Sequence, residues 1–283
     1  MTPFAEVIGD PIAQSKSPAI HRFWLEKLGL PCDYRALEVQ GDGLAGYFAT
    51  RRDEPGWRGC NVTMPHKQQV APYLDTVSRP ASRVGAVNTV YRQGSRLIGE
   101  NTDGEGFLEP LRPFLDRPHL YRIVRLLGTG GAARAIAAAL TEHGFTLVVA
   151  GRTEASARAL LDAVAPHGAH HACALAHFAE PTNFDFDDRE GLFDLVVNAT
   201  PLGMVGQSPL AFDFSHAPPG SIVYDIVTAP VETLFVRRAR ESGFATIDGL
   251  SMLIGQAAAA FRLFYGVEAP RIHDEELRGM LAR

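Results

Sequence analysis

Arg122-Ile123-Val124-Arg125-Leu126-Leu127 runs straight into Gly128-Thr129-Gly130-Gly131-Ala132, and the reading of this junction decides the fold. The first six residues form a mostly apolar, β-branched run of the length of a buried strand. The alanine-rich run Ala132 to His143 predicts a helix, with Ile136 and Leu140 on one face, His143 at its negative end and Gly144 closing it. A second apolar run, Thr146 to Ala150, ends at Gly151-Arg152-Thr153. Strand, glycine turn, helix and strand make a βαβ unit. Gly128, Gly130 and Ala133 fill the three positions of G-x-G-x-x-G/A, where backbone N–H groups approach a pyrophosphate at a positive helix N-terminus. This part of the chain is expected to bind a dinucleotide.

Toward the C-terminus, Phe193 to Asn198 and Ser221 to Ile226 read as further buried strands. The loop Ala199 to Met204 then falls at the carboxyl edge of a doubly wound sheet, where such folds place their ligands. Val231 to Ser242 predicts an amphipathic helix stopped by Gly243, and Leu250 to Tyr265 a terminal helix. Pro166 to His171 and Glu180 to Arg189 read as surface connections.

Toward the N-terminus, Phe4 to Ile8, Asp33 to Val39 and Trp57 to Thr63 predict strands. Ala86 to Tyr91 and Ser95 to Gly99 predict a hairpin around Gln93-Gly94. Helices are predicted over Ala19 to Leu28, Gly41 to Arg52, Pro65 to Leu74 and Gly104 to Leu111. Ser17 before Pro18 reads as an N-cap with proline at the first helical position; the competing reading makes Ser15 and Ser17 a small carboxylate site. Lys67 is either a solvated junction residue or joins Asn61 and Thr63 in a donor cluster, and Asp103 either caps a helix or enters a site. Strands alternating with helices imply a second α/β domain here.

Length and composition agree. A chain of 283 residues suits two domains, and 46% hydrophobic with 21% charged residues is the balance of a globular protein. A net charge of −5 gives no electrostatic reason to expect nucleic acid or an anionic membrane as partner. Cys32, Cys60 and Cys173 are odd in number and lack ligand spacing, so neither a disulfide framework nor a metal site is expected. No signal peptide or membrane-length apolar run is read, and a reducing cytoplasm is the expected address.

Several motifs carry a resemblance. Ser15-x-Ser17-Pro18, Gly59-x-Asn61-Val62-Thr63-x-Pro65-x-Lys67, Gly85-Ala86-Val87-Asn88-Thr89 and Asn101-Thr102-Asp103-Gly104 occur in order. Gly128-x-Gly130-Gly131-Ala132, Asn198-Ala199-Thr200-Pro201-Leu202-Gly203-Met204, Asp248-Gly249-Leu250-x-Met252-Leu253 and Gln256-Ala257 follow. Together they resemble the shikimate dehydrogenases over nearly the whole chain. The resemblance implies an α/β fold of two domains with a cleft between them. Residues 1–103 with 249–283 would form the substrate-binding and catalytic domain, and 104–248 a Rossmann-like, doubly wound NADP-binding domain.

It further implies reversible, NADPH-dependent reduction of 3-dehydroshikimate to shikimate, in the biosynthesis of aromatic amino acids. Lys67 and Asp103 would shuttle the proton, with Lys67 the first candidate for the dominant base. Ser15 and Ser17 would hold the carboxylate, with the Tyr224 hydroxyl as candidate third contact. Asn61, Thr63, Asn88, Asp103 and Gln256 would bond the ring hydroxyls. NADP would lie against Gly128, Thr129, Gly130, Gly131, Ala132, Gly151, Arg152 and Thr153, with Asn198, Ala199, Thr200, Met204 and Gly249 around the nicotinamide. No metal is implied, and the family is monomeric or homodimeric. Departures from the family pattern fall at Gly151, Ser156, Arg22 and Thr228. An NAD-linked quinate/shikimate dehydrogenase of catabolism stays open as the alternative, and a dinucleotide-binding regulatory module without activity as the third reading.

Overall fold

The computed structural model describes residues 2–183 and 191–282. The chain divides into two compact units, Met1–Gly106 with Ile254–Arg283, and Phe107–Leu253.

The first unit is built on a six-stranded mixed sheet. Its strands are β1 (Phe4–Gly9), β2 (Asp33–Glu38), β3 (Trp57–Val62), β4 (Thr76–Val77), β5 (Thr89–Gln93) and β6 (Arg96–Glu100), in the spatial order β2-β1-β3-β5-β6-β4. β1 pairs in parallel with β2 and β3, and β5 runs antiparallel to both β3 and β6. Every residue of β1 is buried, Glu6 included. That carboxylate is matched by Arg51 at 2.6 and 3.1 Å, the Tyr47 hydroxyl at 2.7 Å and Trp57 Nε1 at 2.9 Å. A buried charge so surrounded is tolerable, where an unpaired one is not. Around the sheet lie α1 (Ser17–Lys27), α2 (Leu44–Asp53), α3 (Arg79–Val84) and the start of α4 (Asp103–Leu108).

The second unit holds α5 (Arg112–Leu115) and six strands. They are β7 (Tyr121–Leu127), β8 (Thr146–Gly151), β9 (His171–Ala174), β10 (Leu192–Asn198), β11 (Ile222–Asp225) and β12 (Ala245–Ile247). Their order is β12-β11-β10-β7-β8-β9, and every pairing is parallel. Counted within the unit this is 6-5-4-1-2-3, the doubly wound order, with its switch point between β7 and β10. α6 (Gly131–Glu142) buries Ala133, Ala135, Ala137 and Ala138 beside Ile136 and Leu140, so small side chains let it lie close on the sheet. α7 (Glu154–Val164) and α8 (Leu234–Glu241) complete the unit. α9 (Gly249–Tyr265) and α10 (Asp274–Leu281) end the chain. Among the described residues no helix is long and apolar enough to cross a membrane.

Four sequence expectations need correction. The helix expected over Pro65 to Leu74 is two 3₁₀ turns, His66–Gln68 and Ala71–Tyr73. Pro72 has no N–H to continue an α-helix, and the Lys67 carbonyl accepts instead from Val87 N at 2.7 Å. The helix expected from Val231 begins at Leu234, where the Thr233 side chain caps it by accepting from Val236 N. His171, read as part of a surface connection, opens strand β9. Residues 184–189 of the connection expected from Glu180 to Arg189 lie outside the described residues. Ser17 is the fourth correction and belongs to the site.

Candidate functional site

In the first unit, β3 ends at Val62 and the 3₁₀ turn that follows carries Lys67. His66 anchors that turn: it is fully buried and its Nε2–H donates to Val39 O at 2.6 Å. Lys67 Nζ then meets Asp103 Oδ2 at 2.6 Å, with the lysine side chain 24% exposed and the aspartate 6%. Asp103 opens α4 without capping it, because Asn101 Oδ1 accepts the Asp103 N–H at 3.1 Å. Its second oxygen accepts from Asn88 Nδ2 at 2.8 Å. The carboxylate is therefore held from two sides, and the ammonium is the part left partly open to solvent.

Asn88 is itself fixed. Its Oδ1 accepts from Thr102 N at 2.8 Å and from the Thr89 hydroxyl at 3.0 Å. Asn61 Nδ2 donates to Thr89 Oγ1 at 3.1 Å, and Asn61 Oδ1 accepts from the Tyr34 hydroxyl at 2.6 Å. One hydrogen-bonded chain thus joins Tyr34, Asn61, Thr89, Asn88, Asp103 and Lys67. The register Asn61↔Thr89 and Thr89↔Glu100 across β3, β5 and β6 brings these residues side by side.

Gln256 enters through α9. Its carbonyl accepts from the Thr102 hydroxyl at 3.0 Å, and a Cβ on Gly106 would lie 2.3 Å from Gln256 N. Only glycine at 106 lets α4 and α9 approach this closely. Thr63, at the end of β3, donates its N–H to Ile8 O and accepts from His66 N.

The serines differ from expectation. Lys16, not Ser17, occupies the cap position of α1, already in helical conformation and with no side-chain cap bond. Ser15 Oγ accepts the Ser17 N–H at 3.3 Å, so the capping-type contact belongs to Ser15. Ser17 is 8% exposed.

In the second unit, Gly128 has φ 122°, and a Cβ there would lie 2.6 Å from Ala199 O. The glycine lets the loops after β7 and β10 touch at the switch point. Gly130 precedes α6 with no side-chain cap, and the space where its Cβ would stand is open to 4 Å. Thr129, Gly131 and Ala132 line the same turn, half-buried. An open cradle at the positive end of a 12-residue helix fits a pyrophosphate.

The Asn198 side chain is spent on its own loop. It donates to Leu202 O at 3.1 Å and Asp225 Oδ1 at 3.0 Å, and accepts from Thr200 N and Oγ1 at 3.0 and 2.7 Å. Burial pushes the Asp225 carboxyl up, against the bonds from Thr233, Val227 N and Asn198 that hold it down. Ala199, Thr200 and Met204 are exposed to half-buried. A Cβ on Gly249 would lie 2.2 Å from Val227 O, so that glycine admits the close packing of the start of α9. Tyr224 belongs to this unit; it is fully buried in β11 with its ring stacked on Phe107 at 4.7 Å.

Gly151 closes β8 and Arg152 follows it, exposed. Thr153 caps α7 in a reciprocal capping box with Ser156. Ser156 Oγ donates to Thr153 O at 2.7 Å and is where a Cβ on Gly151 would collide, at 2.2 Å. The departure from the family pattern at Ser156 is therefore a helix cap.

Sequence reasoning missed Tyr34, His66, Asp225 and Thr233 as parts of these networks. Thr89, Thr102 and Asn101 stood inside the motifs without a role. Among the described residues no group of three or more His, Cys, Asp or Glu side chains is placed to hold a metal.

Comparison with known proteins adds the family. A model of the shikimate dehydrogenase substrate binding domain matches residues 7–90, and one of the shikimate 5'-dehydrogenase C-terminal domain matches 249–271. The shikimate dehydrogenase (NADP(+)) of Sphingopyxis alaskensis is 46% identical over 99% of this chain and 97% of its own. That of Rhodospirillum rubrum is 41% identical over 95% and 94%. The crystal structure of shikimate 5-dehydrogenase from Thermus thermophilus, in complex with NADP(H) and shikimate, is 37% identical, with a TM-score of 0.81 over 99% of this chain and 100% of that one. The chain belongs to the shikimate dehydrogenase family.

Proposed function

We propose that the protein is an NADP-dependent shikimate dehydrogenase, reducing 3-dehydroshikimate to shikimate and running reversibly. The observation that carries the reading is the Lys67–Asp103 pair at 2.6 Å, oriented by Asn88 and enclosed by hydrogen-bonding side chains. The 46% identity to a relative named for this reaction supports it. Bound NADPH supplies the hydride. As carbonyl carbon becomes alcohol carbon, its oxygen must gain a proton, and Lys67 Nζ delivers it while Asp103 Oδ2 holds the amine in place. In the reverse direction the same nitrogen takes the hydroxyl proton. Ser15 and Ser17 hold the substrate carboxylate, and Asn61, Thr63, Asn88, Asp103 and Gln256 read the ring hydroxyls. A polar site of this kind rejects analogues lacking a hydroxyl, since its own buried groups are then left unpaired. Tyr224 offers the carboxylate a further hydroxyl. Free Cys32, Cys60 and Cys173 suit a reducing cytoplasm.

Gly128 to Ala132 hold the pyrophosphate, the loop Asn198 to Met204 with Gly249 flanks the nicotinamide, and Gly151, Arg152 and Thr153 meet the adenosine ribose. Steady-state turnover with shikimate and with quinate, each with NADP and NAD, tests the whole reading. Preference for quinate with NAD would move the chain to the catabolic alternative.

Arg152 supports NADP. A guanidinium pairs with a 2′-phosphate in a forked geometry, and Glu154, exposed at the positive end of α7, is suited to its helix. Because Ser156 is committed to the cap, the preference rests on this arginine. Arg152→Ala is expected to lower kcat/KM with NADP roughly 10- to 100-fold, the worth of about 1.5–3 kcal/mol in a charged hydrogen bond. With NAD the change should stay below about threefold. Equal losses with both cofactors would remove Arg152 from phosphate recognition.

A further inference from the structure

Asn198 and Asp225 are the last residues of two neighbouring parallel strands, β10 and β11, and stand opposite each other in the register. They share the carboxyl edge of the sheet, where doubly wound folds bind their ligands. Asp225 itself is 1% exposed and cannot reach a ligand. Three neutral donors converge on it: Asn198 Nδ2 and Val227 N on Oδ1, each at 3.0 Å, and the Thr233 hydroxyl on Oδ2 at 2.6 Å.

From Asn198 the order passes outward into the loop. Nδ2 donates to Asp225 Oδ1 and to Leu202 O, while Oδ1 accepts from Thr200 N and Thr200 Oγ1, so the amide is used in full. Thr200 Oγ1 accepts in turn from Leu202 N at 3.1 Å. Turning the amide over would set Asn198 Oδ1 against the Asp225 carboxylate and the Leu202 carbonyl, two groups that only accept. Asp225 therefore fixes which way the amide faces, and the amide fixes Thr200 and Leu202.

We infer that Asp225 is a positioning residue for the nicotinamide: through Asn198 it sets the shape of loop 199–204 and with it the place of the ring that exchanges hydride. This rests on the functional reading given above, in which that loop flanks the nicotinamide. Hydride passes only between carbons held nearly in contact and in line, and a misplacement of about 1 Å costs on the order of 10²-fold in rate. The adenosine end of the cofactor is assigned to Gly151, Arg152 and Thr153 after β8, none of which hydrogen-bonds Asp225.

The two ends can be read separately, because 2′,5′-ADP carries the phosphorylated adenosine of NADP without the nicotinamide. Asp225→Ala is expected to lower kcat for shikimate oxidation roughly 10- to 100-fold and to weaken NADP binding about 10-fold. The Kd for 2′,5′-ADP, by titration calorimetry, should stay within about twofold of wild type, since no hydrogen bond at that end is lost. Asp225→Asn keeps an oxygen where Asn198 and Val227 donate, and should bring kcat back to within about threefold of wild type. Equal weakening of NADP and 2′,5′-ADP binding would make Asp225 a support of the whole unit and overturn the inference. So would wild-type kcat in Asp225→Ala, or an Asp225→Asn protein as slow as Asp225→Ala. If Asp225→Ala does not fold, Asn198→Ala breaks the same bond from the loop side and is held to the same split between the two ligands. All of these outcomes leave wild-type turnover intact; a wild type that does not oxidise shikimate overturns the functional reading and the inference with it.

Discussion

Lys67→Met is expected to slow shikimate oxidation roughly 10²- to 10⁴-fold, the usual worth of a positioned acid–base group. Methionine keeps the length and the apolar stem and deletes only the nitrogen proposed to carry the proton. Asp103 keeps its bond from Asn88 at 2.8 Å, and the turn keeps its anchors at His66 and Val87, so the surrounding frame should stand. The loss should therefore appear in kcat, with NADP affinity by fluorescence titration unchanged. A folded Lys67→Met protein with near-normal turnover would end the assignment of this nitrogen as proton carrier.

The second large effect is on stability and comes from His21. Its imidazole is fully buried against Tyr34, Trp24, Phe261 and Phe264, and among the described residues neither ring nitrogen has a hydrogen-bond partner. Tyr34, the titratable ring beside it, is neutral. Burial lowers the His21 pKa from 6.5 to about 3. Between those values the unfolded chain binds the proton and the folded one does not, so this group's stability is whole above pH 6.5 and drains away as the pH falls toward 3. At about 1.4 kcal/mol per unit the full loss is on the order of 5 kcal/mol, and about 2 kcal/mol has gone by about pH 5. His21→Phe abolishes the titration. Urea unfolding of both proteins at neutral pH and at about pH 5 should show a shallower pH dependence in the variant by about that amount. Parallel pH dependences would mean that His21 is protonated within the fold.

The second unit was readable in the sequence because its information is local. A mostly apolar run of six residues, a glycine turn, an alanine-rich helix and a second apolar run occur consecutively, and their period and length leave little choice of fold. Lys67 and Asp103 were readable as motif positions. What orients them was not. Asn88 reaches Asp103 and Thr89 reaches Asn61 only through the pairing of β3 with β5 and of β5 with β6, which no window of sequence contains. Ser17 was misread by one residue because Lys16 already has helical backbone angles, a matter of local conformation that Ser-x-Ser-Pro leaves undetermined. The turn carrying Lys67 was expected to be helical, yet Pro72 and the tertiary bond from Val87 override that expectation. Ser156 stood out only as a departure from the family pattern and is a cap, since the second partner in a capping box is fixed by the turn it closes.

The split composition of the first unit bears on how the protein is made. A ribosome delivers β1 to β6 early, but Phe261 and Phe264, which pack against Trp24 and His21, arrive only after the whole of 107–253. Gly59 has no side chain because the Phe264 ring must lie on it, 2.7 Å from where a Cβ would be. Until then the nascent sheet presents an apolar trough with no cover, while the contiguous second unit completes in one pass. Residues 107–253 are thus the stretch of translation during which the first unit most needs a chaperone, and a chain stalled just before Ile254 leaves that unit open and prone to aggregate.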